Sequence, residues 1–341
     1  MEENQKIWCG LDISKNDMSA ALDIDRDLPV RKLPLKSFRR SLEGIRDMLD
    51  WCAEQHVETT ALRVFMESTG IYSRDVLRWF QNNFPSIPVS VGNPRHVKHF
   101  IESEHLGNKT DALDALAIAR MGTIQKPAPA SLLPPEYLQL QELVRTRDEL
   151  VTKTKSLEVS LKAMPDGGSV AARSLQHVVK VMAAELKKMD ASILDLTERM
   201  PDIRAAVRRM CTMPGIGLIS AVTILSELGP FSAEYSKTSF SAYTGLQPVK
   251  RQSGSSVNSS RIGKNGSPLL RKVLYLCSIH AVQKIPAMES MYSRLLARGK
   301  KPLSARCACM RKMLLILRSM VLNQRDFEEN FVSVKKVVKA V

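Results

Sequence analysis

The chain has 341 residues, 44% of them hydrophobic and 25% charged, with a formal net charge of +15 at pH 7. That is apolar material for two or three cored domains, and it excludes a disordered chain. Aromatics make up only 5%, which argues against a broad base-stacking platform.

The charge is uneven: residues 201–341 carry 23 Lys and Arg against 7 Asp and Glu, whereas residues 1–200 carry 27 against 28. A polyanion-binding C-terminal part attached to a nearly neutral body is expected. The six cysteines, at positions 9, 52, 211, 277, 307 and 309, form no Cys-x-x-Cys pair and have no histidine at zinc-ligand spacing, so they read as reduced, mostly buried thiols. The N-terminus MEENQKIWCG carries no signal-peptide core. The most apolar later run, Met313 to Leu322, is short and broken by Arg318, so no membrane span and a reducing cytoplasm are expected.

In chain order, KIWCGLDIS is a mostly apolar strand ending in Asp12, and DMSAALDI continues as a second strand after a Ser-Lys-Asn turn. PVRKLPLK is a weaker third strand because of its prolines. From Ser37, SFRRSLEGIRDMLDWCAEQ has helical periodicity, with Leu42, Ile45, Met48, Leu49 and Cys52 on one side. TTALRVFMES reads as a buried strand ending at Glu67, IYSRDVLRWFQNNF as a helix and IPVSVGNP as a further strand. RHVKHFIES then leads into GNKTDALDALAIAR, a helix capped by Asn108 or Thr110. The order of strands and helices predicts a mixed sheet with helices on its faces.

Asp111 and Asp114, three apart on that helix, emerge from one face. A dipole-stabilised first turn would by itself explain an Asp-x-x-Asp pair. Asp12 and Glu67, however, both fall at the C-terminal ends of apolar strands, where ligands collect in open α/β sheets. Four such carboxylates repel one another unless cations neutralise them, and hard oxygen ligands select Mg²⁺, with Mn²⁺ also suited. An Asp on a first strand, a Glu ending a later strand and an Asp-x-x-Asp on the last helix resemble the ribonuclease H superfamily, and most of all Holliday-junction resolvases of the RuvC type. The resemblance implies metal-bound carboxylates acting on a phosphodiester.

KPAPASLLPPE, Lys126 to Glu136, carries four prolines and reads as a linker. Beyond it Leu143, Leu150, Leu157 and Met164 recur every seven residues. After Met-Pro-Asp-Gly-Gly the return helix carries Leu175, Val179, Met182, Leu186, Met189, Ile193, Leu196 and Met200. This four-and-three spacing predicts a helical hairpin with a coiled-coil seam, closed within one chain or shared between chains.

The segment from Asp202 to Gly229 runs helix, Met213-Pro-Gly-Ile-Gly217, helix, and resembles a helix-hairpin-helix. Gly215 and Gly217 would then turn backbone N–H groups toward a nucleic-acid phosphate, with Arg204, Arg208 and Arg209 nearby. A plain helix-turn-helix packing unit is the alternative. KRQSGSSVNSSRIGKNGSPLLRKVL alternates serines with Gly, Asn and cations and reads as a flexible phosphate-contacting loop before a helix opened by Ser267-Pro268. Its cations Lys250, Arg251, Arg261 and Lys264, with Arg271 and Lys272 on the next helix, are the candidate nucleic-acid contacts. The last long helix carries Arg306, Arg311, Lys312 and Arg318, which could follow a backbone, and FVSVKKVVKAV reads as a basic tail.

Taken together, LDIS with Asp12, FMESTG with Glu67, GNKTDALDA with Asp111 and Asp114, MPGIG, FSAYTGLQP and KRQSGSS resemble the DEDD-type transposases of bacterial insertion sequences. This is the group named insertion-sequence family one-ten, the bridge-RNA-guided recombinases. The match runs from about residue 7 to about residue 320, with the motifs in order.

The resemblance implies a RuvC-like acidic domain (1–125), a linker (126–136), a coiled-coil hairpin (137–200) and a basic transposase domain (201–341) bearing a nucleophilic serine. The acidic tetrad falls on Asp12, Glu67, Asp111 and Asp114. The serine of the R-x-S-G-S-S pattern falls on Ser253, while Ser255 and Ser256 are neighbours that it does not pick. It further implies target and donor DNA as substrates, a non-coding bridge RNA as guide, and tetramers of paired dimers in which one subunit's acidic domain works with another's serine. On the residues alone a metal-dependent junction resolvase using water leads. The resemblance puts a serine recombinase ahead of it, and a non-catalytic nucleic-acid scaffold last.

Overall fold

The computed structural model describes residues 6–103, 111–130, 133–253, 257–263 and 266–329. The side chains at 111, 112 and 249–261 lie outside that description. The chain divides into two compact units, Met1–Leu132 and Leu133–Val341.

The first unit is built on a five-stranded mixed sheet in the order β3-β2-β1-β4-β5. Its strands are β1 Ile7–Ile13, β2 Asp17–Asp23, β3 Leu35–Arg39, β4 Leu62–Glu67 and β5 Val89–Gly92. β1 is central, antiparallel to β2 and parallel to β4. Period-two alternation sorts its side chains. Cys9, Leu11 and Ile13 join one core with Ile45, Met48 and Cys52 of α1 (Leu42–Glu54) and Val76, Leu77 and Phe80 of α2 (Ile71–Asn83). On the other face Trp8 and Phe65 meet Val97 of α3 (Pro94–Ser103) and Ile118 and Met121 of α4 (Asp111–Gln125). Cys9 and Cys52 share a hydrogen bond that, with burial, pushes the Cys9 thiol well above its ordinary range.

Two expectations shift here. The segment Val30–Lys32 is a 3-10 turn, and the third strand runs on through Arg39. The first helix therefore starts at Leu42 rather than at Ser37, because Ser41 caps it by accepting from the Gly44 N–H at 3.0 Å. The cap expected at Asn108 or Thr110 lies outside the described residues.

The proline-rich stretch is also less free than its composition suggests. The Ser90 hydroxyl donates to the Pro127 carbonyl at 2.9 Å, the Ala130 N–H to the Val89 carbonyl at 2.7 Å and the Gln81 amide to the Ala130 carbonyl at 2.9 Å. Its first half therefore docks on the β5 edge as part of the first unit.

Arg120 on α4 reaches Asp23, whose side chain is fully buried, at 3.3 Å. It also donates to the Arg26 and Leu28 carbonyls at 2.5 and 2.7 Å. Removing one partner of a buried pair strands the other charge. Arg120→Met is accordingly expected to cost about 3 kcal/mol in urea unfolding, and a cost under about 1 kcal/mol would contradict that arrangement.

The second unit opens with a helical hairpin, α5 Pro135–Lys162 and α6 Val170–Arg199, whose buried residues are Leu140, Gln141, Val144 and Thr154 on α5 and Ala172, Ile193 and Thr197 on α6. Ile193 is fully buried, and Leu175, Val179, Met182, Leu186 and Met189 are half-buried. At its base Leu140, Val144 and Ile193 join the core of α7 Pro201–Cys211, α8 Leu218–Leu228, α10 Pro268–Lys284 and α12 Pro302–Leu322, next to α9 Lys237–Tyr243 and α11 Pro286–Ala297. Arg145 of α5 holds the buried Glu227 of α8 through two hydrogen bonds of 2.6 and 2.9 Å.

The Ser/Gly-rich stretch is a hairpin rather than a loop, with β6 Pro248–Ser253 antiparallel to β7 Val257–Ile262. The Gly263 N–H donates to the Gln247 carbonyl at 3.0 Å and closes the base of the paired strands.

Candidate active site

The sheet brings two of the four carboxylates side by side. β1 and β4 pair in parallel with Leu11 opposite Met66, so one further step sets Asp12 beside Glu67. These are the carboxyl ends of neighbouring strands about 4.8 Å apart. Asp12 follows Trp8 and Gly10, and Glu67 follows Phe65, by two-residue steps, so both lie on the face covered by α4. Asp12 and Glu67 are half-buried, while Asp114, in the first turn of α4, is 8% exposed. Asp111 begins that helix.

A glycine sets how close α4 comes. A Cβ at Gly10 would stand 2.2 Å from the Ala119 nitrogen and 2.3 Å from the Ala115 oxygen, so the α4 backbone rests directly on β1. Ala115 follows Asp114, and Gly10 precedes Asp12 by two. The same contact therefore spaces the two carboxylates. The signal was in the sequence, since a glycine inside a strand marks a close backbone approach.

The donor set is all carboxylate oxygen, which suits a hard divalent cation. Among the described residues no three His, Cys, Asp or Glu side chains form a metal-holding group, and the Asp111 side chain is outside that set.

In the second unit Ser253 is the last residue of β6, opposite Val257 across the hairpin end, with residues 254–256 outside the described set. Lys250 and Arg251 share its strand, opposite Ser260 and Ser259, and Arg261 lies opposite Val249. Lys264 is outside the described residues. Arg271 donates to the Gly266 carbonyl at 2.6 Å, and Lys272 donates to Asp148 at 2.6 Å.

Gly215 has φ +93°, and a Cβ there would stand 2.8 Å from the Cys277 carbonyl oxygen of α10. Packing on α10 thus needs this glycine, whereas Gly217, at the start of α8, has open space around a would-be Cβ.

Several cations are committed to the fold. Arg204 and Arg208 both reach Glu198. Arg318, expected to track a backbone, is buried at 7% exposure. It donates to the Ser232 and Tyr235 carbonyls and lies over the Phe240 ring. It falls on the inner face of α12, where those carbonyls and that ring meet its guanidinium.

Two family models cover most of this arrangement. One of DEDD type, described as a transposase, matches residues 9–167, which include all four carboxylates. A second, described as the transposase IS116/IS110/IS902 family, matches residues 207–293, which include Ser253.

The chain belongs to the IS110 family of transposases.

A pilin gene-inverting protein of Moraxella bovis is 25% identical over 95% of this chain and 98% of its own length. The transposase for insertion sequence element IS1111A of Coxiella burnetii is 25% identical over 55% of this chain and 58% of its own length. An insertion element IS110 protein of Streptomyces coelicolor is 23% identical over 59% of this chain and 51% of its own. As a member of an insertion-sequence transposase family, the chain has DNA as its substrate. No described helix of this transposase is long and apolar enough to cross a membrane.

Proposed function

We propose that this transposase is a site-specific DNA recombinase that exchanges strands through a phosphoserine at Ser253, with a ribonuclease H-type acidic site formed by Asp12, Glu67, Asp111 and Asp114. The carrying observation is the placement of Asp12 and Glu67 on one sheet face at the carboxyl ends of β1 and β4, under the helix α4 that Gly10 seats and whose first turn carries Asp114. The four carboxylates would hold Mg²⁺, or Mn²⁺, which supplies Lewis-acid stabilisation of charge on the phosphate when bound.

The Ser253 Oγ forms a bond to phosphorus as the bond to the leaving sugar oxygen breaks, and the serine proton passes, in the net reaction, to that sugar hydroxyl. A partner strand's hydroxyl then displaces Oγ and returns a proton to the serine. The ester is conserved throughout, so strands are joined without an external energy source.

The resemblance further supports reading of target and donor DNA by a non-coding bridge RNA, which suits a chain rich in cations and poor in aromatics. The first N–H groups of α8, beside Gly217, suit a phosphate in the manner of a helix-hairpin-helix. Lys250, Arg251, Arg261 and Lys264 are its backbone contacts in this reading. The half-buried stripe of α5 and α6 supports coiled-coil association into a tetramer of paired dimers, at the nucleoid of a bacterial cytoplasm.

The test is the product formed from a supercoiled plasmid carrying two sites, with Mg²⁺ and the flanking non-coding RNA. New junctions without free ends are expected. Cut ends without junctions would replace this reading with a water-using resolvase. The near full-length similarity to pilin gene-inverting proteins favours a second reading, inversion of a DNA segment by the same chemistry. Inverted rather than excised or inserted segments would select it.

A further inference from the structure

The first unit carries a second, oppositely charged feature. A concavity of about 830 Å³ is lined by Lys6, Arg26, Arg63 and Lys126, with Trp8 and Pro127 in its wall and, among the described residues, no acidic side chain. Topology explains the gathering. Lys6 precedes β1 and Arg63 is the second residue of β4, while Arg26 follows β2, which runs the other way, and Lys126 follows α4. All four therefore collect at the end of the sheet opposite Asp12 and Glu67, roughly 20 Å away at about 3.3 Å per strand residue.

The site is built rather than accidental. Arg120 holds the Arg26 carbonyl at 2.5 Å, the Arg63 guanidinium donates to the Leu62 carbonyl at 2.8 Å, and Pro127 is tied down by Ser90. Lys6, Arg26 and Lys126 are exposed, and among the described residues none of the four is in an ion pair. Four like charges around one hollow repel one another unless an anion fills it. The volume suits a nucleotide-sized length of chain.

We infer that this basic hollow, at the end of the sheet opposite the carboxylates, binds the phosphodiester backbone of a nucleic acid as an anchoring site separate from the acidic one. The inference rests on the reading above that the chain works on nucleic acid. Phosphates meet the four cations, and the Trp8 and proline walls face the sugar edge.

The experiment measures binding of labelled single-stranded RNA, single-stranded DNA and duplex DNA of matched sequence to the full chain over a salt series. Wild type is compared with Lys6→Gln/Arg26→Gln/Lys126→Gln and with a charge-matched control on α6, Arg173→Gln/Lys180→Gln/Lys187→Gln. The first triple variant is expected to weaken binding about 10- to 100-fold near 0.1 M salt and to lower the slope of log K against log salt by about two to three, while the control changes little. Loss confined to RNA or to DNA assigns the strand that sits there, and loss on all three assigns a general backbone site.

Unchanged affinity and slope on every probe, or equal loss in the control variant, would overturn the inference while leaving the recombinase reading intact. No binding of any probe by wild type would overturn both. Melting curves keep the comparison sound, since all three replaced side chains are exposed.

Discussion

Ser253→Ala is expected to eliminate every protein-linked DNA species on a denaturing gel and to lower strand exchange at least about 1000-fold. The change removes one oxygen from the last residue of β6, whose pairing with Val257 is a backbone matter. A hairpin of unaltered register, and an unaltered melting curve, should therefore accompany the loss.

Water cannot stand in for the missing hydroxyl, because hydrolysis discards the ester that the partner strand must inherit. Ser255→Ala and Ser256→Ala, at neighbours outside the serine position of the motif, should retain activity within about tenfold. If Ser253→Ala still cuts DNA in a Mg²⁺-dependent way at the wild-type rate, the nucleophile is water and the chain is a resolvase.

Gly10→Ala should damage stability and activity together. The new methyl would lie 2.2 to 2.8 Å from three backbone atoms of Ala115 and Ala119, and no rotamer change relieves a backbone clash. α4 must retreat from β1, at the upper end of overpacking costs, about 3 kcal/mol in urea unfolding. The retreat carries Asp114 away from Asp12 and Glu67, and activity should fall at least about 100-fold from a displacement near 1 Å.

Asp12→Asn is the informative contrast. It keeps the size of the side chain and removes one carboxylate of the proposed metal site, so the fold should be retained while Mg²⁺-dependent cutting is lost. A Gly10→Ala protein as stable and active as wild type would mean that α4 does not position the acidic site.

Much of this was written along the chain. Strand and helix periods around Asp12, Glu67 and Asp114 placed each carboxylate at the end of its element, and the ordered motifs from LDIS to KRQSGSS identified the family. These are local signals, set by the two-residue and 3.6-residue repeats of strand and helix. Only the tertiary structure decided which strand ends are neighbours, because the crossover from β1 to β4 places Asp12 beside Glu67 across some fifty-five intervening residues. It also turned a serine-rich stretch into a hairpin, took Arg318 out of the surface and docked the proline-rich segment on β5. In each case long-range packing satisfied backbone or guanidinium groups that composition alone would have left to solvent. The basic hollow had no sequence signal at all: Lys6, Arg26, Arg63 and Lys126 are far apart along the chain and meet only because the antiparallel strand β2 and helix α4 return to the end where β1 and β4 begin.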